Sequence, residues 1–397
     1  MDSARGAGCA IFTGQQKGFP IVSNSLSRRR ALTTGVGAAL GLGVLAATSA
    51  PASASPAGSA GEETKSLDEL YQDAIAEGGK LVVYAGGDTA AQGNGVRAAF
   101  ENRFPAIDFE YIVDYSKYHD VRVDNQLATG TLVPDVVQLQ TLQDFDRWKA
   151  LGRLMRYKPA GFSKLYKGFR DPQAAWVSVT VIAFSYSYST TALGSNGPKT
   201  PLDLVDPAWK GKIASSYPND DDAVLFLYSL YAQTYGWDWV AKLAAQDVRF
   251  ARGTNSPGEA VNSGLKAIGV GGSGSAVASS SPVKWVVPDG HPFMAWGQRA
   301  AILNQAKHPA AAKLYLNFAL SPDNQKASFN GWSVRTDVTP PAGLKPIWQY
   351  PNAHVDEFPR FMADRAELER LRQTFALYFG EVQGAPTPGW LGLHPGA

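Results

Sequence analysis

The hydrophobic positions of this chain alternate between short continuous runs and longer stretches with the spacing of a helix. Ser66 and Glu69 form a capping-box pattern that predicts a helix start, and Gly78-Gly79 predicts its end. The run 81–84, Leu-Val-Val-Tyr, then predicts a short buried strand. The alternation continues with strands predicted at 107–113 and 136–139, and helices at 96–104, 121–128 and 145–151. Alternating strands and helices predict a parallel sheet covered by helices on both faces.

After a long β-rich run at 176–184, the pattern begins again. It predicts a second α/β set with helices at 222–235 and 237–245 and strands at 267–270 and 284–287. A helix at 309–320 follows, and the Pro- and Trp-rich stretch beyond Pro340 carries one further predicted helix, 359–378. A chain of 397 residues is long enough for two domains, so we expect an α/β fold in two parts.

The residues before the first predicted helix have the layout of an export signal. Arg28, Arg29 and Arg30 precede an apolar, Gly- and Ala-rich stretch, and no further charge occurs until Glu62. Small residues at 52–54 supply a cleavage site. The arginine pair resembles the core of a twin-arginine signal. We therefore predict a twin-arginine-type signal peptide at 1–54 and a linker at 55–66, with an uncleaved membrane anchor as the alternative.

Composition narrows the function classes. The 45% hydrophobic and 18% charged content is that of a globular chain, and its formal net charge is +2. Outside the arginine run there is no dense basic patch, so we expect no nucleic-acid partner. The single cysteine, Cys9, lies within the predicted signal. The mature chain is therefore expected to have no disulfide, no catalytic thiol and no zinc–cysteine site.

Four stretches occur in an order that resembles one family. They are 77–84 (EGGKLVVY), 201–213 (PLDLVDPAWKGKI), 306–315 (AKHPAAAKLY) continuing to 321–325 (SPDNQ), and 334–337 (VRTD). Together they resemble the extracellular solute-binding proteins of ABC importers, in particular the ferric-iron-binding-like group of the type II periplasmic binding protein fold.

The resemblance implies an α/β fold of two lobes, each a sheet with helices on both faces, joined by crossing strands. We expect the first lobe at 67–185, the second at 186–288, a return to the first lobe at 289–338, and a C-terminal extension at 339–397. The strand ending near Phe184 and the strand near Val286 are the expected crossings. The C-terminal extension is not explained by the resemblance.

The resemblance also implies an exported protein, periplasmic or extracellular, that captures a small solute and delivers it to the membrane permease of an ABC importer. We expect a monomer with no cofactor, no metal and no catalytic residues. The patterns G-x-S-x-G, H-E-x-x-H and a P-loop lysine do not occur in the sequence. An exported hydrolase on the same fold is kept as an alternative.

Candidate ligand-binding residues follow predicted strands or open a predicted helix, because α/β lobes bind ligands at strand carboxyl ends and helix N-termini. In the first lobe these residues are Tyr84, Asp88 and Gln138. In the second lobe they are Tyr186, Asp220, Asp221, Asp222, Ser273 and Ser275.

Two of these segments also have a simpler interpretation, and both interpretations stay open. Asp220, Asp221 and Asp222 precede an apolar helix. Carboxylates at this place cap the start of a helix and stabilise it. Three acidic residues facing a cleft would instead favour a cationic or hydroxyl-rich solute. The segment 271–275, Gly-Gly-Ser-Gly-Ser, is either a ligand contact through backbone N–H groups and hydroxyls or a flexible turn.

The chain departs from the iron-binding members of the family at one place. Those members bind iron through two adjacent tyrosines, whereas the corresponding segment here, 269–275, contains no tyrosine. Ferric iron prefers hard anionic oxygen ligands, for which serine hydroxyls are poor substitutes. We therefore expect a small polar organic solute, with cationic solutes included, and keep ferric iron as an alternative.

The export signal gives a first prediction. Replacing Arg28 and Arg29 with lysine is expected to block export, because a twin-arginine signal depends on the arginine pair. The measurement is the amount of mature protein outside the cytoplasm, with Arg30→Lys as the matched control. Normal export of the double variant would contradict the twin-arginine assignment.

Overall fold

The computed structural model describes residues 61–277, 281–328 and 330–384. The predicted signal peptide, with its arginine run and Cys9, lies outside these residues, as does the linker up to residue 60. Within the described part of the chain, no helix combines the length and apolar character needed to cross a membrane.

The described residues form nine strands and twelve α-helices, with short 3-10 turns between them. The strands are β1 (Lys80–Gly86), β2 (Asp108–Asp114), β3 (Val136–Leu139), β4 (Val177–Ser189), β5 (Ile213–Ser216), β6 (Arg249–Ala251), β7 (Ile268–Ser273), β8 (Val283–Trp285) and β9 (Met294–Ile302). The helices are α1 (Leu67–Glu77), α2 (Asn94–Arg103), α3 (Ser116–Thr129), α4 (Leu142–Ala150), α5 (Thr190–Leu193), α6 (Asp222–Tyr235), α7 (Trp237–Ala244), α8 (Ser256–Asn262), α9 (Pro309–Ala319), α10 (Pro322–Lys326), α11 (Phe358–Ala363) and α12 (Arg365–Phe379).

The strands join in one mixed sheet in the order β2-β1-β3-β9-β4-β7-β5-β6, with β8 paired to β4. β1 is parallel to both β2 and β3, and β5 is parallel to both β6 and β7. Between these two parallel sections, β9 and β4 run antiparallel to each other and to their outer neighbours. We call the part around β1–β3 the first lobe and the part around β5–β7 the second lobe.

Each lobe has its own hydrophobic core. In β1, Leu81 and Val83 point into one cluster and Val82 and Tyr84 into another on the opposite face, as the two-residue period of a strand requires. The second lobe is built around α6, whose ten consecutive residues 223–232 are all buried. A helix that is apolar all round must be covered on every side. Here α7, the sheet and the C-terminal helix α12 cover it.

Several predicted elements are confirmed and others are corrected. The capping box of Ser66 and Glu69 forms, and β3 and α6 have the predicted bounds. The prediction of a second crossing strand near Val286 is wrong, because β8 pairs at β4 alone whereas β9 pairs with both β3 and β4. β9 escaped prediction because Gln298 and Arg299 interrupt its apolar pattern, although all nine of its residues are buried.

The single helix predicted at 359–378 is two helices. α11 ends at Ala363, and the Asp364 side chain accepts a hydrogen bond from the Glu367 backbone N–H (3.0 Å), which caps α12. Phe358, Met362 and Phe375 of these two helices belong to the core of the second lobe. These two helices of the C-terminal extension are therefore packed into the fold and contribute to its core.

Arg299 of β9 connects the crossing strands to α4. Its side chain is only 7% exposed, and its Nη1 donates to the Leu142 carbonyl (2.7 Å) and to Asp146 Oδ2 (3.0 Å). The guanidinium also lies 3.7 Å from the ring centroid of Trp176, just before β4. Because burial disfavours the charged form, the pKa of Arg299 lies below its ordinary value. These contacts hold the start of α4 against the crossing strands.

Replacing Arg299 with alanine is expected to lower the free energy of unfolding by about 2 kcal/mol, because it removes a buried guanidinium that donates to the Leu142 carbonyl and packs on the Trp176 ring. Urea unfolding followed by circular dichroism measures the change. Arg103→Ala is the matched control, since Arg103 pairs with Asp68 at the surface and exposed pairs contribute less than about 1 kcal/mol. Equal losses in the two variants would contradict the role given to Arg299.

Candidate functional site

A cleft of about 880 Å³ lies between the two lobes. Its floor is formed by side chains of the crossing strands, including Thr180 and Phe184 of β4 and Trp296 and Gln298 of β9. The first-lobe wall comes from the ends of β1 and β3 and the starts of α3 and α4. The second-lobe wall comes from the start of α6, the loop after β6 and the end of β7. The wall residues thus lie at the carboxyl ends of parallel strands, where α/β lobes are expected to bind ligands.

Glycines and an amide network shape the first-lobe wall. A Cβ atom on Gly86 would lie 2.1 Å from Ser116 Oγ, so a larger residue here would displace the hydroxyl that accepts from the Gln140 backbone N–H (2.9 Å). The Gln138 side chain donates to the Tyr111 hydroxyl (3.3 Å) and accepts from the Tyr315 hydroxyl (2.6 Å). Burial raises the pKa of Tyr111 to about 12 and that of Tyr315 well above its ordinary value. Both phenols therefore stay protonated in the neutral pH range.

Asp221 is the cap of α6. Its Oδ1 accepts hydrogen bonds from the backbone N–H groups of Ala223 and Val224, both at 2.9 Å. Burial raises the pKa of Asp221 to about 6, against the lowering effect of the Val224 N–H. Gln140, at the end of β3, donates to the other carboxylate oxygen across the cleft (3.4 Å). The capping interpretation of the acidic run is therefore confirmed for this residue.

Each of the two flanking aspartates pairs with two cations. Lys117 Nζ and Arg252 Nη1 both lie 3.1 Å from Asp220 Oδ1. Lys117 starts α3 in the first lobe, so this ion pair also joins the lobes.

Asp222 is held in the same way from the C-terminal extension. Arg365 Nη1 lies 3.1 Å from its Oδ2, and Arg372 Nη2 donates to its Oδ1. The charge of the acidic run is therefore balanced within the protein, and the run by itself gives no reason to expect a cationic solute.

Asp88, after β1, reaches across to the second lobe. Its Oδ2 accepts hydrogen bonds from the Thr254 hydroxyl and the Asn255 backbone N–H, both at 2.8 Å. Because Asn255 precedes α8, a first-lobe carboxylate binds the start of a second-lobe helix. Burial raises the pKa of Asp88, partly offset by the hydrogen bond from Thr254. Asp88 thus lines the cleft and connects its two walls.

The structure brings together six of the nine residues predicted for the site. Asp88, Gln138, Asp220, Asp221, Asp222 and Ser273 line the cleft. Tyr84, Tyr186 and Ser275 do not belong to its lining.

The side chains of these three residues make their contacts away from the cleft. The Tyr84 ring stacks on His119 (4.4 Å between centroids) in the first-lobe core, and its hydroxyl accepts from Gln126 (3.2 Å). Tyr186 is completely buried in the core of the second lobe. The Ser275 hydroxyl accepts from the Val277 backbone N–H (3.3 Å). Strand alternation decides the direction of both tyrosines, and the sequence does not say which face meets the cleft.

Some cleft residues escaped sequence reasoning. Gln298 lies in β9, a strand that was not predicted, and accepts from the Trp296 indole N–H (3.0 Å). Met362, Arg365 and Arg372 come from the C-terminal extension, more than 130 residues after the acidic run they approach. No local sequence pattern identifies neighbours that are so far apart in the chain. For Gln298, a polar residue within an otherwise apolar run could have indicated a cleft-facing position.

A pair of carboxyl groups lies at the first-lobe side of the cleft. Asp120 of α3 lines the cleft near Asp144 of α4. Burial and the neighbouring Asp144 raise the pKa of Asp120 to about 8. Asp144 is itself held by Arg147, with Oδ1 2.7 Å from Nη2. Asp120 therefore holds a proton at neutral pH, which it shares with the Asp144 carboxylate.

Among the residues that the structure describes, no group of three or more His, Cys, Asp or Glu side chains is arranged to hold a metal ion.

A family model of bacterial extracellular solute-binding proteins matches residues 125–343 of the chain. The match confirms the family resemblance, and three of the four sequence stretches lie within the matched residues. No curated protein matches the chain in sequence at a significant level.

Solved structures with a similar fold are periplasmic binding proteins. The substrate-binding protein of an ABC transporter from Agrobacterium tumefaciens has a TM-score of 0.61 at 18% identity, covering 76% of this chain and 94% of that one. AfuA from Actinobacillus pleuropneumoniae, with fructose-6-phosphate bound, has a TM-score of 0.59 at 18% identity (76% and 98% covered). Iron-bound HitA from Pseudomonas aeruginosa has a TM-score of 0.57 at 17% identity (75% and 99% covered). The fold is thus the predicted two-lobed type II architecture.

The carboxyl pair predicts a pH effect on stability. The folded-state pKa of Asp120, about 8, lies above its ordinary value of 3.8, so between these values the folded state binds more protons than the unfolded state. This group's stabilising contribution is complete below pH 4 and is lost as pH rises through 8. Asp120→Asn is expected to remove this loss, which reaches at most about 1.4 kcal/mol per pH unit.

The measurement is the free energy of unfolding in urea from pH 5 to 9. Asp108→Asn is the control, because the Asp108 side chain is 71% exposed on β2. If the curve of the Asp120 variant stays parallel to that of the wild type, the assigned pKa is wrong.

Proposed function

The chain belongs to the family of bacterial extracellular solute-binding proteins, and on that premise we propose that it captures a small polar organic solute between its lobes and delivers it to the permease of an ABC importer. The observation that carries this proposal is the cleft itself. Both lobes line it, its volume of about 880 Å³ lies within the range of small-molecule pockets, and its charged groups are largely paired within the protein.

The lining supports a polar solute without a large net charge. Amides and hydroxyls such as Gln138, Gln298 and Thr180 alternate with apolar surfaces such as Phe184 and Trp296. Carbohydrate-like molecules offer hydroxyls to the first kind of group and C–H faces to the second. Most cleft carboxylates already have partners within the protein, because Asp220 and Asp222 each pair with two cations and Asp221 caps α6.

The architecture supports capture by lobe closure. β4 and β9 connect the two parallel sections of the sheet, and hinge rotation about such connections is a common response to a ligand. Groups that bridge the walls, such as Asp88 with Thr254, stabilise the closed arrangement. A permease then distinguishes loaded from unloaded protein by the relative position of the lobes.

Ferric iron is the second candidate, because the similar HitA structure is iron-bound. Two observations count against it here. Tyr111 and Tyr315 are two of the three tyrosines in the cleft lining, and the side chains of both are hydrogen-bonded to Gln138. Their raised pKa values also oppose the tyrosinate form that ferric iron requires.

Thermal unfolding with a fixed panel of probes tests the proposal. The panel is D-glucose, fructose 6-phosphate, glycine betaine, spermidine and ferric citrate, each with calorimetry. At least one of the first three is expected to bind and raise the midpoint, since a ligand at one hundred times its Kd stabilises the folded state by about 2.7 kcal/mol. A coloured tyrosinate complex with ferric citrate would favour the iron alternative instead, and turnover of a probe would favour an enzyme.

A variant whose cleft is filled by a larger side chain tests whether the probe binds in the cleft. Thr180→Trp places an indole on the floor and is expected to abolish the shift while preserving the circular dichroism spectrum. Leu377→Trp introduces the same side chain at a position that is 86% exposed on α12, outside the cleft lining, and is expected to leave the shift unchanged. A shift that survives Thr180→Trp would show that binding occurs elsewhere.

A further inference from the structure

Part of the first-lobe wall of the cleft is apolar. Its lining residues from α2, from α9 and from the end of α10 include Val96, Ala99, Phe318, Ala319 and Ala327. We call these five residues the apolar section. Among the described residues of α2, α9 and α10, none that lines the cleft carries a charged side chain. The apolar section therefore differs from the ion-paired lining around the start of α6.

Helix α2 supplies the exposed side of the apolar section. Val96 and Ala99 lie three positions apart, so they share one face of the helix. Val96 is 37% exposed, which leaves a branched hydrocarbon side chain in contact with water in the wall of the cleft. The charged neighbour Arg97 is not part of the lining, and its Nη2 donates to the Tyr111 carbonyl (2.6 Å). This face of α2 thus offers the cleft a hydrocarbon surface.

Phe318 of α9 connects this surface to the first-lobe core. Its ring packs edge-on against Phe100 of α2, with 5.4 Å between the ring centroids, and against Phe104 (5.7 Å). Phe100 and Phe104 are completely buried in the core cluster of the first lobe. The apolar section therefore rests on tightly packed rings, which hold its shape.

The polar side chains of the same wall donate their hydrogen bonds within the protein. Gln325 Nε2 and Asn324 Nδ2 both donate to the Ala319 carbonyl, at 2.8 and 3.0 Å. The Ser328 hydroxyl donates to Asn330 Oδ1 (3.0 Å). Because these donors are already used, the wall contacts a ligand mainly through its apolar atoms.

The charged and the apolar lining come from different elements of one cleft. The charged lining residues belong to the loop after β1, to α3, to the start of α6 and to the C-terminal helices. The amides of Gln138 and Gln298 come from the strands β3 and β9. The cleft volume of about 880 Å³ lies in the upper part of the range for small-molecule sites, so it has room for a solute with two chemically different parts.

We propose that the solute carries an apolar group, such as a short alkyl chain or a hydrocarbon ring, which packs on the apolar section. Its polar group then meets the amides of Gln138 and Gln298. Binding removes the Val96 side chain and the apolar group of the solute from water together, which favours association. The inference rests on the solute-binding function proposed above and narrows the solute to amphiphilic molecules.

Calorimetry with the full mature chain and matched pairs of probes tests this inference. The pairs are methyl and hexyl β-D-glucoside, methyl and hexyl phosphate, and tetramethylammonium and hexyltrimethylammonium. Each pair keeps one polar head, which is neutral, anionic or cationic, and differs only in the length of the alkyl group. In at least one pair the hexyl compound is expected to bind about tenfold more tightly or better, since each buried methylene strengthens binding by about fourfold.

Variants of α2 locate the alkyl group. Val96→Asp places a carboxylate on the apolar section and is expected to lower the hexyl-to-methyl affinity ratio to about one, because a charge opposes burial of a hydrocarbon beside it. Ala99→Asp, one turn further along α2, is expected to have the same effect. Val121→Asp is the matched control, since Val121 is 57% exposed on α3 and lies outside the cleft lining. Urea unfolding of each variant verifies that the fold is retained.

The outcomes separate this inference from the proposed function. If the wild type binds a methyl compound or a probe of the earlier panel, and no hexyl compound binds about tenfold more tightly than its methyl partner, the inference is wrong and the proposed function stands. A hexyl preference that survives in Val96→Asp and Ala99→Asp, or is lost equally in Val121→Asp, would overturn the inference as well. A wild type that binds neither these probes nor those of the earlier panel would overturn both.

Discussion

The antiparallel pair β4–β9 is the constraint on which the remaining architecture depends. β9 is buried over its whole length, and a buried strand must satisfy its backbone N–H and C=O groups on both sides. β9 pairs with β3 of the first lobe on one side and with β4 on the other. β4 in turn pairs with β7 of the second lobe. The cleft floor therefore consists of residues of the two strands that join the lobes.

Compensated charge is the second organising feature. The acidic run at the start of α6 meets cations from three parts of the chain, the first lobe, the second lobe and the C-terminal extension. Pairing of this kind reduces the desolvation cost of placing carboxylates in a cleft. It also leaves hydrogen bonding and shape, more than net charge, to determine which solute fits.

The C-terminal helices show how an element outside the matched family region becomes part of the binding architecture. α12 covers one side of α6, a helix too apolar to face water, and α11 extends this cover to α4. The same segment thus covers the apolar surface of α6 and contributes side chains to the cleft lining. A change in these helices would act on core stability and on the cleft lining together.

Local sequence determined much of the architecture. The period of the hydrophobic residues specified β1, β3 and α6, and the Ser66–Glu69 pair specified the start of α1, because these signals depend on neighbours a few residues apart. It also placed six of nine candidate residues at the cleft, since strand ends and helix starts meet there.

Tertiary structure alone decided the rest. Partners distant in sequence decided that Tyr84 of β1 and Tyr186 of β4 point into the cores. They also decided that β9, despite Gln298 and Arg299, is a buried crossing strand, and that Arg372 pairs with Asp222. Such contacts follow from three-dimensional packing, and the spacing of hydrophobic residues a few positions apart does not predict them.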